Sequence, residues 1–145
     1  MTLAAIAVGV GFVGLVGFFH HYALYSLGRV ASRSGSSSTF AIQLTFVGLL
    51  LLHVAEIMAL AAANLWLLGW DGFGGRASAV PLGWADAIYL TGVNFTTLGY
   101  TTIELTGAIR IVTMLQSLGG FMILTWSATY LYTVCRRSWR RAEIE

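Results

Sequence analysis

The residues best suited to chemistry in this chain are residues 96–101, which form the hexapeptide Thr-Thr-Leu-Gly-Tyr-Thr. They follow a short apolar segment, residues 83–95, which lies between two long hydrophobic stretches and is too short to cross a bilayer. Non-helical backbone at membrane depth is tolerated only where protein covers it or where it lines a water-filled cavity. Gly99 permits backbone conformations that a side chain would exclude, which helps successive carbonyl groups to point one way. The hexapeptide is therefore a candidate polar site inside a membrane.

The hexapeptide resembles the selectivity filter of the potassium channel family, whose usual form is Thr-Val-Gly-Tyr-Gly. In that family, filter carbonyl groups replace the water around a cation. The resemblance covers about residues 40–134 and implies passive cation transport, with no cofactor beyond the permeant ion. It implies that the ion is bound by backbone carbonyls and one hydroxyl, from Thr97, Leu98, Gly99, Tyr100 and Thr101.

The filter departs from the family's usual form at several positions. Leu98 replaces Val, and the β-branched Thr101 replaces a final Gly whose conformation is often costly for a side chain. We therefore expect the outermost ion site to be distorted or lost. Thr102 stands where the family commonly has Asp, and Val93 stands where many members carry a carboxylate that braces the filter. Both K⁺ and Na⁺ thus stay open as the permeant ion.

Glu56 is an ionisable residue in the middle of the second hydrophobic stretch, where such a group is costly and usually functional. One hypothesis is that Glu56 supports the filter in place of the missing brace, by hydrogen bonding near Thr96 or Asn94. The other, which we favour, is that a protonated Glu56 pairs with His53 or another neighbour on its helix. Helical spacing places His53, Glu56, Leu60 and Asn64 on one face.

Histidines give the chain an alternative site. His20 and His21 lie near the inner third of the first hydrophobic stretch. Together with His53 and Glu56 they offer the imidazole and carboxylate groups that suit several divalent metals. A membrane metal-binding protein is therefore one alternative function, although ordinary hydrogen bonding between helices is the simpler explanation of these residues.

The composition requires a lipid environment, since the chain is 57% hydrophobic and 10% charged, with a mean hydropathy of +0.78. At about 1.5 Å per residue, three stretches exceed the ~30 Å hydrocarbon core. We predict an all-α membrane protein with three transmembrane helices, a re-entrant pore helix and a filter. The predicted segments are an extra N-terminal helix and Ser/Gly linker (1–39), a pore domain (40–135) and a short basic tail (136–145). Within the pore domain they are an outer helix (40–68), a pore helix (84–96), a filter (97–101) and an inner helix (107–135).

All eight basic residues are Arg, and most of them flank the hydrophobic stretches. Arg29 and Arg33 lie in the linker, and four more lie in the tail: Arg136, Arg137, Arg140 and Arg141. The positive-inside rule places both clusters in the cytoplasm. We therefore expect a multi-pass protein of the cell membrane with its N-terminus outside and its pore loop entering from outside. This clustering does not suggest a nucleic-acid partner, and no soluble partner is evident.

Three further regions complete the predicted channel. Gly119 and Gly120 lie about where the resemblance places a gating hinge, although close helix packing explains a glycine pair equally well. Glu104 is a candidate for an outer ring that concentrates cations. We expect the first helix to cover the polar face of the second, and Ala7, Gly11, Gly14 and Gly17 to form a smooth packing surface.

One chain cannot enclose an axis with a single loop, and the resemblance implies four loops around a fourfold axis. We therefore expect a homotetramer with twelve membrane-spanning helices. A rival interpretation is a non-conducting or regulatory subunit in which Thr101 marks a collapsed filter. No pattern of a nucleophile with a general base is present, and we predict that the chain is not an enzyme.

Overall fold

The computed structural model of the chain describes residues 1–33, 38–70, 72–77 and 81–142. This part of the chain is predominantly helical, and three of its helices are long and apolar enough to cross a membrane: Thr2–Val30, Thr39–Leu68 and Ile109–Arg140. The prediction of an all-α membrane protein with three spanning helices is confirmed. The elements in chain order are α1 (Thr2–Arg33), α2 (Ser38–Leu68), β1 (Gly75–Arg76), α3 (Trp84–Phe95), β2 (Leu105–Thr106) and α4 (Ile109–Ala142).

Several boundaries differ from the predicted ones. The predicted linker, residues 28–39, is helical up to Arg33 and again from Ser38, while residues 34–37 lie outside the described residues. The helix α4 starts at Ile109 rather than residue 107, because Gly107 has a φ of +80° that no helix accommodates. It ends at Ala142 rather than near residue 135, because Arg favours helix and no glycine or proline interrupts this stretch.

The three long helices run in alternating directions and pack together in three apolar clusters. Near the start of α1, Ala5 is fully buried in a cluster with Leu67 of α2 and Ile109 of α4. Near the end of α1, Leu24 packs with Leu49 of α2, and Tyr130 of α4 borders that cluster. The start of α1, the end of α2 and the start of α4 therefore lie at the same end of the molecule.

The expected smooth surface of α1 is not where the protein packs. A Cβ added at Gly11, Gly14 or Gly17 would meet no atom within 4 Å, so these glycines face away from the other helices. The close approach is instead made by Gly9, where an added Cβ would lie 2.7 Å from Leu115 Cδ1 of α4. Spacing alone misidentified the packed face because every side of α1 is apolar.

A short antiparallel ladder joins two loops at the end of the molecule where α2 ends and α4 begins. Gly75 pairs with Thr106 and Arg76 with Leu105, and the strands are too short to leave a sequence pattern. Two more backbone hydrogen bonds extend the contact, from Ala77 N to Glu104 O (2.9 Å) and from Ile109 N to Phe73 O (2.7 Å). The loop before the pore helix is thereby fixed to the segment that follows the hexapeptide.

Candidate functional site

The pore helix α3 is anchored by its buried face. Ala87, Leu90, Thr91, Val93 and Phe95 are buried, and Phe95 lies in a cluster with Leu60 of α2 and Ile123 of α4. The helix ends at Phe95, one residue earlier than predicted, and Thr96 caps it with φ −81° and ψ 0°. The negative end of the helix dipole therefore faces the start of the hexapeptide, where it favours a cation.

The sign of φ alternates along the backbone of the hexapeptide. Thr97 has a φ of +59° and Gly99 a φ of +69°, whereas Leu98 and Tyr100 between and after them have negative φ. Such alternation turns successive N–H groups to one side of the chain. Thr97 is the one non-glycine residue with positive φ among the described residues, and a β-branched side chain makes this conformation costly.

The start of this loop is held from behind by the end of the pore helix. The N–H groups of Leu98 and Gly99 donate to Val93 O at 3.0 and 3.4 Å, and Thr97 N donates to Asn94 O at 2.9 Å. Val93, where many potassium channels carry a carboxylate, thus contributes its carbonyl group instead of a side chain. The hydroxyl of Tyr89 donates to Tyr100 O at 3.4 Å, a weaker contact further along the loop.

The two large side chains of the loop have no cover within one chain. Leu98 is 70% exposed and Tyr100 is 77% exposed. Exposed non-helical backbone does not occur in lipid, so at membrane depth this loop needs other protein or water around it. Within the single chain, these two side chains are therefore left for other protein or for water to cover.

Thr101 adopts a negative φ and carries no left-handed strain. Its hydroxyl accepts a hydrogen bond from Ile103 N at 3.0 Å, which turns the chain away from the loop. The side chain therefore has a local role at the position where the potassium channel family has glycine.

Glu56 is paired with histidines. Glu56 Oε1 lies 2.8 Å from His20 Nδ1 of α1, and Glu56 Oε2 lies 3.0 Å from His53 Nδ1 of its own helix. The two residues near which Glu56 was proposed to bond have other partners. The Thr96 hydroxyl donates to Gly92 O at 2.8 Å, and the Asn94 backbone carbonyl accepts from Ser117 Oγ. The helix α1 thus covers the polar face of α2 at Glu56, as expected, whereas Asn64 on the same face bonds to α3 and α4 instead. His21 is exposed and lies apart from this cluster, with its ring 5.8 Å from that of Trp126.

A second polar cluster, which the sequence did not indicate, fastens the pore helix to both neighbours. Asn64 Nδ2 donates to Thr91 Oγ1 at 3.1 Å and to Gln116 Oε1 at 3.0 Å, and Gln116 Nε2 donates back to Asn64 Oδ1 at 2.9 Å. All three residues are 1% exposed. Ser117 Oγ also donates to Asn94 O at 2.6 Å, at the end of the pore helix. The sequence feature that could have indicated this cluster is Gln116, an amide side chain within a membrane-spanning segment.

The glycine pair of α4 lies in close contacts. A Cβ added at Gly120 would lie 2.8 Å from Phe95 Cα and closer still to Phe95 O. One added at Gly119 would lie 2.6 Å from Val13 Cγ1 of α1. The helix is continuous through both residues, which bring α4 against the pore helix on one side and α1 on the other.

Charged residues of both signs lie near the end of the hexapeptide. Glu104 is exposed and lines an open cavity of about 600 Å³ together with Asn94, Thr101, Arg110 and Ser117. Arg76 of β1 reaches Asp86 of the pore helix, with 3.4 Å between Nη1 and Oδ2. This end of the molecule is therefore of mixed charge, in contrast to the Arg-rich opposite end.

Comparison with known proteins agrees with this geometry. Searches of curated proteins and of solved structures gave no match. A family model described as "Ion channel" matches residues 49–137, which is more than half of the chain and includes α3, the hexapeptide and most of α2 and α4. The helix α1 lies outside the match. The chain is therefore a member of this potassium-channel-like ion channel family, with an additional N-terminal helix.

Proposed function

We propose that four copies of this chain form a cation channel that conducts K⁺, with Na⁺ as its competitor, through the loop at residues 97–101. No cofactor other than the permeant ion takes part. The ligands are the backbone carbonyls of Thr97, Leu98, Gly99, Tyr100 and Thr101, together with the Thr97 hydroxyl. Transport is passive, down the electrochemical gradient.

The observation that carries this proposal is the alternation of φ along the loop. Positive φ at Thr97 and Gly99, separated by a residue of negative φ, turns successive carbonyl groups to one side of the backbone. A row of such carbonyls is what replaces the hydration shell of a cation in a filter. The preceding helix α3 directs the negative end of its dipole at the start of this loop, where it favours a cation.

The incomplete cover of the loop supports the tetramer. Leu98 and Tyr100 are exposed in the single chain, and one loop cannot enclose an axis. An open apolar groove of about 420 Å³ between α2 and α3, lined by residues such as Val54, Met58 and Tyr89, offers a neighbouring copy a complementary surface. Closed rotational symmetry is the usual form of homo-oligomers, and the resemblance supports a fourfold axis.

The inner helix supports a water-filled cavity below the loop. Thr125, Thr129 and Thr133 recur every four residues on an exposed face of α4, and each hydroxyl donates to the carbonyl four residues earlier. This satisfies the hydroxyl hydrogens and leaves oxygen lone pairs for water. We place this face toward the axis, with Gly119 and Gly120 above it as the candidate hinge.

The proposed orientation puts the N-terminus outside and the Arg-rich end of α4 in the cytoplasm. Trp66, Trp70 and Trp84 are about half exposed at the end that carries the filter loop, and Trp139 is 60% exposed at the other. Tryptophan is enriched at both membrane interfaces, which fits a protein spanning between these levels. Membership in an ion channel family also favours a non-enzymatic function.

Cation flux into liposomes containing the purified protein tests the proposal. We expect flux driven by a K⁺ gradient to exceed flux driven by a matched Na⁺ gradient, and the detergent-solubilised complex to contain four chains of 15.6 kDa. Equal K⁺ and Na⁺ flux would replace the K⁺ preference with a non-selective cation pore.

The variant T101G provides the matched control for the filter, since it restores the family's usual residue at one position. If the native chain gives no flux while T101G conducts, the proposal is overturned in favour of the non-conducting subunit. No flux from either variant, with a complex of the wrong size, would overturn the tetrameric pore.

A further inference from the structure

We propose that His20, Glu56 and His53 bind one divalent transition-metal cation, best matched by Zn²⁺, at the contact between α1 and α2. His20 and Glu56 have fully buried side chains, and the His53 side chain is 15% exposed. The site is separate from the filter loop and does not depend on whether the protein conducts.

The geometry of the three side chains is close to that of a metal site. His20 Nδ1 lies 2.8 Å from one carboxylate oxygen of Glu56, His53 Nδ1 lies 3.0 Å from the other, and the ligand atoms all lie within 4.8 Å of one another. Zinc–ligand bonds of about 2.0–2.1 Å at tetrahedral angles place ligand atoms about 3.3 Å apart. A small outward movement of each side chain therefore admits the ion.

The two imidazole rings are arranged to bind from both sides of the carboxylate. They are nearly parallel, with an angle of 5° between planes and 5.6 Å between centroids. A single histidine would satisfy Glu56 as a hydrogen-bond partner, whereas this arrangement directs two nitrogens toward one carboxyl group. Two nitrogens and one oxygen suit Zn²⁺ and similar ions, while Mg²⁺, Ca²⁺ and alkali ions prefer oxygen ligands.

Ser127 of α4 supplies the outer contact that such a site requires. Its Oγ lies 3.1 Å from His20 Nε2, on the side of the ring opposite Glu56. Metal-bound histidines almost always donate their second N–H to an acceptor, which fixes the tautomer. With the metal at Nδ1, His20 keeps its proton at Nε2 and donates it to Ser127, while His53 Nδ1 and Glu56 bind in their deprotonated forms.

The surroundings favour a bound cation over an empty cluster. The ring of Trp126 lies 5.5 Å from that of His20, and the ring of Phe95 lies 6.0 Å from that of His53. A carboxylate enclosed in such an apolar setting is stabilised by a positive charge beside it. The partial exposure of His53 provides the route by which the ion reaches Glu56, and water completes the coordination.

Metal content of the full-length protein, purified in detergent and dialysed against Zn²⁺ or Mg²⁺, tests the site. We expect about one Zn²⁺ per chain and no retained Mg²⁺, and Co²⁺ in place of Zn²⁺ should show the visible absorption of a tetrahedral ion. S127A should weaken Zn²⁺ binding about 10–100-fold, the effect typical of outer partners. H53N should abolish stoichiometric binding.

H21N is the matched control, because His21 neighbours His20 in sequence but is exposed and outside the cluster. It should retain the full metal content. The proposal is overturned if the native protein takes up no Zn²⁺, in which case the cluster is a hydrogen-bonded contact only. It is equally overturned if H21N and H53N lose Zn²⁺ to the same extent.

Discussion

Substituting Gly120 by Ala should disturb the filter from behind, at a site that touches no ion. The added Cβ would lie 2.8 Å from Phe95 Cα, whereas carbon atoms in contact are ordinarily about 3.5–4.0 Å apart. The end of the pore helix must therefore move away by about 0.7–1.2 Å, because the conflicting atoms belong to the backbone and no rotamer relieves them.

The energetic cost can be isolated by comparison with Gly14. Replacing a helical glycine by Ala favours folding by about 1 kcal/mol through helix propensity, and forcing an extra carbon into a packed site costs about 1–3 kcal/mol. G14A shares the first effect and lacks the second, since its Cβ meets no atom within 4 Å. G120A should thus be less stable than G14A by about 1–3 kcal/mol.

Thermal unfolding of the two variants in the same detergent, followed by K⁺ and Na⁺ flux in liposomes, measures both consequences. We expect G120A to unfold at a lower temperature than G14A and to discriminate less between the two ions. The proposed filter begins at Thr97, directly after the helix cap Thr96, so a movement of Phe95 reaches it. Equal stability and equal selectivity of G120A and G14A would refute this account of the glycine pair.

Gly119 offers an internal check, since its conflict is with the Val13 side chain rather than with backbone. The double variant V13A/G119A should therefore recover the stability that G119A loses, whereas V13A should not rescue G120A. If the pair acted only as a hinge, G119A and G120A would both change gating, and V13A would rescue neither of them.

Three further outcomes are expected. G99A should abolish flux while the chain still assembles. A φ of +69° costs a side chain about 1–2 kcal/mol, although the new Cβ meets no atom within 4 Å. Retained K⁺ flux would contradict the proposed filter backbone. Q116L should lower the free energy of unfolding by about 1–2 kcal/mol, because it leaves the buried Asn64 amide without its partner on α4. M114L serves as the control, since Met114 is exposed on the same helix. R76A should change the unfolding temperature little, because Asp86 is 48% exposed and pairs of this kind contribute under about 1 kcal/mol; a large loss would mean that the ladder depends on the ion pair.

The spanning helices could be predicted because lipid imposes a length and composition on them. This criterion misplaced the end of α1. The segment from Arg29 to Arg33, which carries two arginines and a serine, does not need lipid, but it continues the helix because of its local helix propensity. The pore helix was placed to within one residue, because Gly83 precedes it and its apolar run is short. Helix ends are therefore less predictable than the spans that they close.

The contacts within the site were less accessible to sequence. Glu56 could be recognised as unusual, but its partner His20 lies 36 positions away on a helix whose rotation the apolar sequence does not define. The cluster of Asn64, Thr91 and Gln116 was missed for the same reason, as each residue is unremarkable within its own segment. Such pairings depend on how three helices meet.

The ladder between β1 and β2 has a further consequence for how the pore could be exchanged between proteins. It joins the chain on either side of the segment 77–104, which carries the pore helix and the filter, so both ends of that segment emerge at one place. Engineers could therefore transplant this segment into a related scaffold as a single cassette, with both junctions made at neighbouring strands.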